Sequence, residues 1–266
     1  MGKVPEISGF TMTPFSHDGI ERPVYYAGTG PAVIVIHEIP GLHPGVLEFA
    51  RRVADRGFRV CLPSLFGTPE KNVSGAYIFG SLVSACVAKE FTCWALNRTS
   101  PITKWLRALA ADAHQANGGP GVGAIGMCFT GGFALGMMVD DRMLAPVLSQ
   151  PSLPFPVGKK RAAAAGVSDT DWELIKKRTE AGACVMGLRF TADKMVPNAR
   201  FETLREELGA GFIAVEIDSS PSNTHGIPQK AHSVLTEDFV DTPGHPTYAA
   251  LEQVLDFLDQ RLGGNR

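Results

Sequence analysis

Hydrophobic positions along this chain form two kinds of pattern that succeed each other. The first kind is a short apolar or alternating run bounded by turn residues, which predicts a strand. The predicted strands are residues 31–36, 122–127, 143–148, 183–191 and 212–217. The second kind has the period of an amphipathic helix and starts near Ser-Pro or Ser-Asp signals. The predicted helices include residues 102–116, 171–181 and 246–262. This alternation predicts an α/β fold, with a mostly parallel sheet flanked by helices on both faces.

Chain length and composition favour one domain. The 266 residues are 44% apolar, enough for a single α/β domain spanning residues 1–266 to bury a large core. The least regular segment is 67–97, where aromatics such as Phe79, Phe91 and Trp94 lie among small residues. The segment is either a cap beside the active site or a helical excursion whose aromatics fill a small satellite core.

Net charge and the number and spacing of the cysteines indicate which partners and which cell compartment to expect. A net charge of −2 argues against binding to nucleic acid or to an anionic membrane surface. The N-terminus lacks a hydrophobic signal region, and no apolar run is long enough to span a bilayer. We therefore expect a cytoplasmic protein that binds a small molecule, and the pattern predicts no oligomeric state. The cysteines, an odd and scattered set without a disulfide framework, suit a reducing compartment: they are residues 61, 86, 93, 128 and 184.

A cysteine interrupts the apolar run where the strand 122–127 should turn into a helix. Small residues at Gly126, Gly131 and Gly132 suit the sharp strand-to-helix bend called the nucleophile elbow, here with cysteine in place of serine. A side chain on that bend points into a crevice, so Cys128 is the candidate nucleophile. The alternative is a small buried hydrophobe beside a glycine-rich helix start.

An acid and a histidine follow in the order that α/β hydrolases use. Asp193 comes directly after the strand 183–191, and the loop after the last strand holds His225 and His232. We favour His232, because the helix 246–262 would pin its loop against the sheet. A thiol attacks a carbonyl only as the thiolate, so it needs a base, and a carboxylate orients and stabilises the imidazolium.

A second loop, after the strand 31–36, offers the remaining groups. The tetrahedral oxyanion needs two backbone N–H donors, and we expect them from Phe129 and Ile39. Glu38 should reach the same crevice. Burial would raise the pKa of Glu38, which would suit a proton acceptor for Cys128. Polar residues 149–152, which follow the strand 143–148, should reach the crevice as substrate contacts or as a plain turn.

A zinc site is the alternative use of this loop. His37, Glu38 and His43 lack the spacing of the helical H-E-x-x-H motif, and Pro40-Gly41 would break the helix that such a site requires. We therefore expect no metal and no organic cofactor.

These motifs resemble the dienelactone hydrolase family, the cysteine-dependent members of the α/β-hydrolase fold. Segments 15–20, 37–44 and 51–63 are similar to the family's opening strand, glutamate-bearing oxyanion loop and following helix and strand. The elbow and the two later loops then appear in the family's order. The resemblance implies roles for six residues: a triad of Cys128, His232 and Asp193, Glu38 helping to activate the thiol, and an oxyanion hole from the amides of Ile39 and Phe129.

Two positions depart from the family pattern. Thr130 stands where the family elbow usually has glycine, and a β-branched residue there is expected to crowd the turn. Thr236 stands where the best-known members have an arginine that clamps the substrate carboxylate. Loss of that fork makes a neutral or differently shaped ester plausible. Three arginines are candidate replacements, although surface solvation is the expected role of each: Arg98, Arg107 and Arg189.

The sequence thus predicts a carboxylic ester hydrolase of the carboxymethylenebutenolidase type, which cleaves an ester or lactone through an acyl-cysteine. A thioesterase or an acyltransferase on the same fold is an alternative, because the sequence does not specify the acyl acceptor. Two non-catalytic alternatives use the same fold. Cys128 could serve redox sensing or binding, or it could be an inert buried thiol in an interaction protein.

Overall fold

The structure is a computed structural model that describes residues 5–89, 91 and 98–263. In it the predicted apolar runs form strands that pair into a single sheet. Within those residues eight strands share the sheet in the spatial order β1-β2-β4-β3-β5-β6-β7-β8. In chain order they are β1 (Thr11–His17), β2 (Ile20–Ala27), β3 (Ala32–Ile36), β4 (Arg59–Pro63), β5 (Val122–Met127), β6 (Met143–Ser149), β7 (Val185–Phe190) and β8 (Phe212–Ile217).

Strand direction confirms the predicted mostly parallel sheet. The pairs β1 with β2 and β2 with β4 are antiparallel, whereas all pairs from β4 through β3 to β8 are parallel. Parallel strands need crossover connections, and helices supply most of them. The carboxyl ends of β3, β5, β6, β7 and β8 therefore lie at one edge of the sheet, where ligands bind in such folds.

Three of the helices follow the predicted amphipathic stretches closely, over residues 101–117, 169–180 and 246–262. Ser100 and Ser168 accept hydrogen bonds from backbone N–H groups in the first turn of the helices that they precede. The helices are α1 (Pro44–Asp55), α2 (Gly75–Val87), α3 (Pro101–Asn117), α4 (Gly131–Met137), α5 (Lys159–Ala163), α6 (Asp169–Glu180), α7 (Asn198–Leu208) and α8 (Pro246–Leu262). None of them, over the residues described, is long and apolar enough to cross a membrane.

Two hydrophobic cores lie on the two faces of the sheet. Along β3, Ile34 and Ile36 join the core that contains α3 and α4, whereas Val33 and Val35 join the core that contains α1 and α8. All four side chains are fully buried. A strand covered on both faces reads as a continuous apolar run, which explains why this strand was recognisable in the sequence.

Of the irregular segment 67–97, the structure describes residues 67–89 and 91. Its helix α2 brings Ile78 and Leu82 to the wall of the cavity that contains Cys128. Phe91 is buried in the core, whereas Phe79 is 69% exposed. Cys93 and Trp94 lie outside the described residues. The described cysteines, which are residues 61, 86, 128 and 184, are free thiols.

Candidate active site

The chain leaves β5 through a turn that presents Cys128 to a cavity of about 360 Å³. Cys128 has a φ of 51°, in the left-handed region that non-glycine residues seldom adopt. Such a conformation costs roughly 1–3 kcal/mol and persists only where the surrounding structure enforces it. A short 3-10 turn, Cys128–Thr130, then leads into α4. The predicted strand-to-helix bend is therefore present, with the cysteine at its apex.

Thr130 fits this bend, so the crowding that we expected there is wrong. Its hydroxyl donates a hydrogen bond to the Ile36 carbonyl over 2.8 Å and accepts one from the Met127 N–H over 3.0 Å. Space comes from Gly126, where an added Cβ would lie 2.3 Å from the Thr130 carbonyl oxygen. The hydroxyl thus ties the elbow to the end of β3.

The structure brings the predicted histidine and acid together beside the cysteine. Nδ1 of His232 lies 2.6 Å from Oδ2 of Asp193, whose side chain is only 4% exposed. The other Asp193 oxygen accepts a hydrogen bond from the Met195 N–H over 2.8 Å, which fixes the carboxylate. His225 is not among the described residues that line the cavity, and its ring packs against His245 with 5.7 Å between the ring centroids.

The electrostatics of His232 favour its protonated form. Burial lowers the pKa of His232, but the negative charge of Cys128 as a thiolate and the hydrogen bond to Asp193 raise it to about 11. Its Nε2 atom is buried. Among the described residues, no hydrogen-bond partner satisfies both the distance and the angle limits for this atom. His232 and Cys128 line the same cavity. The imidazolium is therefore stable for as long as Cys128 carries a negative charge.

The loop after β6 reaches the crevice, as predicted for residues 149–152. The Ser152 N–H donates to the Cys128 carbonyl over 3.0 Å, and its hydroxyl oxygen lies 3.4 Å from the Cys128 sulfur. Ser152 is buried at the cavity wall. Sequence reasoning placed this loop near the site but did not identify a contact with the thiol, because that contact depends on the β6 loop folding back over the elbow.

Glu38 lies at the centre of a buried polar network beside the cavity. It is 1% exposed, and its carboxylate gathers donors from three separate loops. The donors are His43 Nε2 at 3.2 Å, Gln150 Nε2 at 3.2 Å, Ser233 Oγ at 2.7 Å and Thr236 Oγ1. Thr236, at the position where the family clamp has arginine, is thus occupied with Glu38.

The predicted upward shift of the Glu38 pKa is wrong. Burial alone would raise the pKa of Glu38, but the hydrogen bonds from His43, Thr236 and Ser233 together hold it below its usual value. Glu38 is therefore an ionised carboxylate and a weak base. Cys128 is not among its hydrogen-bond partners within the described part of the chain.

The loop after β3 also places Ile39 on the cavity wall, together with Phe129. His37 holds this loop, since its Nε2 accepts a hydrogen bond from the Leu65 N–H over 2.9 Å. Burial lowers the pKa of His37 to about 4, so the ring is neutral and structural. Across residues 5–89, 91 and 98–263, no group of three or more His, Cys, Asp or Glu side chains is arranged to hold a metal ion.

The three arginines considered as a replacement clamp lie outside the cavity that contains Cys128. Arg107 pairs with Asp171 at 2.6 Å, and Arg98 borders a different cavity. Arg189 is only 4% exposed and pairs with Glu216 at 2.7 Å, so surface solvation is the wrong role for it. Among the described residues, no arginine or lysine lines the cavity.

Comparison with known proteins identifies the family. A family model described as the dienelactone hydrolase family matches residues 22–262. The chain belongs to the dienelactone hydrolase family. The predicted resemblance is confirmed, and membership makes the chain a carboxylic ester hydrolase.

Relatives of this dienelactone hydrolase family member cover most of its length. Proteins from Salmonella typhi and Escherichia coli strain K12, both provisionally named carboxymethylenebutenolidase, are 26% and 25% identical over 231 and 229 residues. Each alignment spans 82% of this chain and 77% of the relative.

Solved structures of dienelactone hydrolase-like proteins share the fold. A provisionally named dienelactone hydrolase from Klebsiella pneumoniae has a TM-score of 0.65 and 20% identity, over 94% of this chain and 98% of that one. The dienelactone hydrolase-like promiscuous phosphotriesterase P91, from metagenomic libraries, has a TM-score of 0.60 and 17% identity, over 96% and 98%. The predicted α/β-hydrolase fold is confirmed by these similarities.

Proposed function

We propose that this protein hydrolyses carboxylic esters or lactones through an acyl-cysteine formed on Cys128. One observation carries the proposal: Cys128, at a left-handed turn, shares its cavity with His232, whose Nδ1 lies 2.6 Å from the buried carboxylate of Asp193. A nucleophile, a base and a group that orients the base are the parts that acyl transfer requires.

Transfer of the Cys128 thiol proton to His232 Nε2 forms a thiolate–imidazolium pair before the substrate reacts, as the raised pKa of His232 supports. The thiolate attacks the carbonyl carbon, a C–S bond forms, and the carbonyl electron pair moves onto the oxygen. When the tetrahedral intermediate collapses, the C–O bond to the leaving alcohol breaks and the imidazolium donates its proton to that oxygen. Asp193 stabilises the imidazolium throughout this exchange, as the raised pKa of His232 supports.

Deacylation repeats the sequence with water. His232 removes a proton from water, the resulting hydroxide attacks the acyl carbon, and collapse breaks the C–S bond. The proton returns to sulfur, so the cycle consumes one water and yields one acid and one alcohol. For the oxyanion we propose the amides of Ile39 and Phe129, both of which belong to residues of the cavity wall.

We propose that Glu38 positions the loops that carry the reacting groups and does not accept the proton of Cys128. Its low pKa makes it a poor proton acceptor, and its hydrogen bonds join the loops that carry the reacting groups. Ser233 is the neighbour of His232, and Gln150 lies in the same loop as Ser152. Through these contacts Glu38 fixes where the base and the Ser152 hydroxyl stand relative to Cys128.

The acyl group that fits the cavity is uncharged and largely apolar. Seven hydrophobic side chains dominate the wall, and the charged residues among the lining are Glu38, Glu237 and the triad histidine. A carboxylate on the acyl group would meet two like charges, and the cationic lining group, His232, is already paired with Asp193. The hydrophobic residues are Ile39, Val73, Ile78, Leu82, Phe129, Phe155 and Met195. We also propose a cytoplasmic location, for which the free thiols are the support.

The test is release of p-nitrophenol from a short-chain ester by the wild type and by Cys128→Ala. We expect an early burst in the wild type and a loss of at least about 10³-fold in the variant, together with an acyl adduct on Cys128 in the wild-type mass spectrum. Cys184→Ala is the matched control, because Cys184 is a free, partly buried thiol outside the cavity. Equal activity in wild type and Cys128→Ala would contradict the proposal and favour a redox or binding role.

A further inference from the structure

We propose that the leaving-group side of this active site selects alcohols that carry an anionic group, a carboxylate or a phosphate, through Lys194 and Lys230. The inference rests on the proposed acyl-cysteine chemistry and extends it from the acyl group to the other half of the substrate.

A second cavity adjoins the catalytic one. It has a volume of about 390 Å³ and shares His232 and Met195 with the cavity that contains Cys128. Gln229, Lys194 and Lys230 complete most of its lining. The two cavities thus meet at the residue that transfers the proton.

The charges of the two cavities are opposite. Both lysines are exposed, and neither ammonium forms a salt bridge with any residue in the described part of the chain. Asp193 supplies the carboxylate among the lining of the second cavity, and His232 already neutralises it at 2.6 Å. The second cavity therefore has a surplus of positive charge, whereas the cavity around Cys128 contains no lysine or arginine among its described lining.

Proton transfer fixes which half of the substrate enters which cavity. The acyl carbon must lie against the Cys128 sulfur, in the apolar cavity. The leaving oxygen must face His232 Nε2, because that atom donates the proton on collapse. The rest of the leaving alcohol then extends past His232 toward Lys194 and Lys230. The substrate class that suits both cavities joins an uncharged acyl group to an anionic alcohol.

Three butyrate esters with similar leaving groups test this directly. They are esters of meta-hydroxybenzoate, of the monophosphate of resorcinol and of meta-hydroxybenzamide, which is neutral. All three form the same butyryl enzyme, so differences in kcat/KM report acylation, after normalisation to the hydroxide-catalysed rates. Two exposed ammonium groups should favour an anionic ester by about fivefold. The ratio of kcat/KM for an anionic ester to kcat/KM for the neutral ester should fall toward one in 1 M salt, where the charges are strongly screened.

Charge-matched variants separate the cavity from the overall field of the protein. Lys194→Gln/Lys230→Gln should bring the anionic-to-neutral ratio of kcat/KM close to one. Lys159→Gln/Lys160→Gln removes the same charge from exposed positions outside the cavity, and should keep the ratio.

The outcomes distinguish this proposal from the proposed function. A preference for either anion that disappears in Lys194→Gln/Lys230→Gln supports it, and the favoured ester identifies carboxylate or phosphate. Equal hydrolysis of the three esters, still dependent on Cys128, overturns the lysine subsite and leaves the esterase in place. If none of the esters is hydrolysed in a Cys128-dependent way, both proposals are overturned.

Discussion

Replacing Glu38 by glutamine tests whether one buried carboxylate holds the active-site loops together. The side chain is 1% exposed and accepts hydrogen bonds from His43, Gln150, Ser233 and Thr236. Removing one partner of a buried, hydrogen-bonded charge costs about 3–5 kcal/mol, and the amide keeps one acceptor oxygen, so we expect the lower end, about 3 kcal/mol. For a chain of this size that loss lowers Tm by about 6–12 °C.

Thermal unfolding followed by circular dichroism measures this loss, with Glu237→Gln as the matched control. Glu237 lies 3.1 Å from the other nitrogen of His43 but is 47% exposed. A partly exposed ion pair is worth about 1 kcal/mol or less, so the control should change Tm by no more than about 4 °C. A Glu38→Gln variant that melts no lower than Glu237→Gln would refute the reasoning.

Lowering the pH tests the same hydrogen-bond network, because it protonates Glu38 in the wild type. The pKa of Glu38 is lower in the folded protein than its usual value, so its contribution to stability is present above the unfolded pKa, about 4.3. That contribution is lost as the pH falls through the lower folded value. Urea unfolding should therefore show the difference between wild type and Glu38→Gln at neutral pH and a smaller difference in acid. A difference that grows on acidification would contradict the low pKa.

Two further predictions concern the elbow and its base. The negative charge of a Cys128 thiolate is the largest cause that raises the pKa of His232, so Cys128→Ser should lower that pKa from about 11. Nitrogen NMR of the imidazole measures the pKa of His232. An unchanged pKa would exclude the ion pair between Cys128 and His232. Gly126→Ala places a Cβ 2.3 Å from the Thr130 carbonyl and should cost about 1–3 kcal/mol and most of the esterase activity. The control Gly80→Ala, with no atom within 4 Å of the added Cβ, should keep both, and equal effects would reject the steric argument.

The fold was predictable because the amino-acid composition of each strand reflects how far that strand is buried. The segment 122–127 is fully buried and became β5 with the predicted bounds, and 212–217 became β8 in the same way. The helix 246–262 likewise has its predicted bounds. In each case local residues, a run of apolar side chains or a helical period between turn signals, determine the element. The segment 67–97 lacks such a period, and the sequence accordingly left two alternatives for it.

The candidate site was predictable where chain order suffices, and unpredictable where distant contacts decide. Cys128, Asp193 and His232 each follow a recognisable strand, so their meeting at one sheet edge follows from topology. The pKa of Glu38 depends on donors far along the chain, among them Ser233, 195 residues away. No local pattern contains that information. Thr130 was misjudged for a similar reason, because its partner Ile36 lies 94 residues earlier.

The long separation between Glu38 and its donors has a consequence for the order of events during synthesis. Cys128 leaves the ribosome about 100 residues before His232, which at cellular rates of translation is about 5–20 s. Over that interval Glu38 lacks its Ser233 and Thr236 donors, and Cys128 lacks the histidine that we propose as its base. The proposed nucleophile is thus synthesised well before its proposed base, and the site can be completed only after the loop that carries His232 has been synthesised.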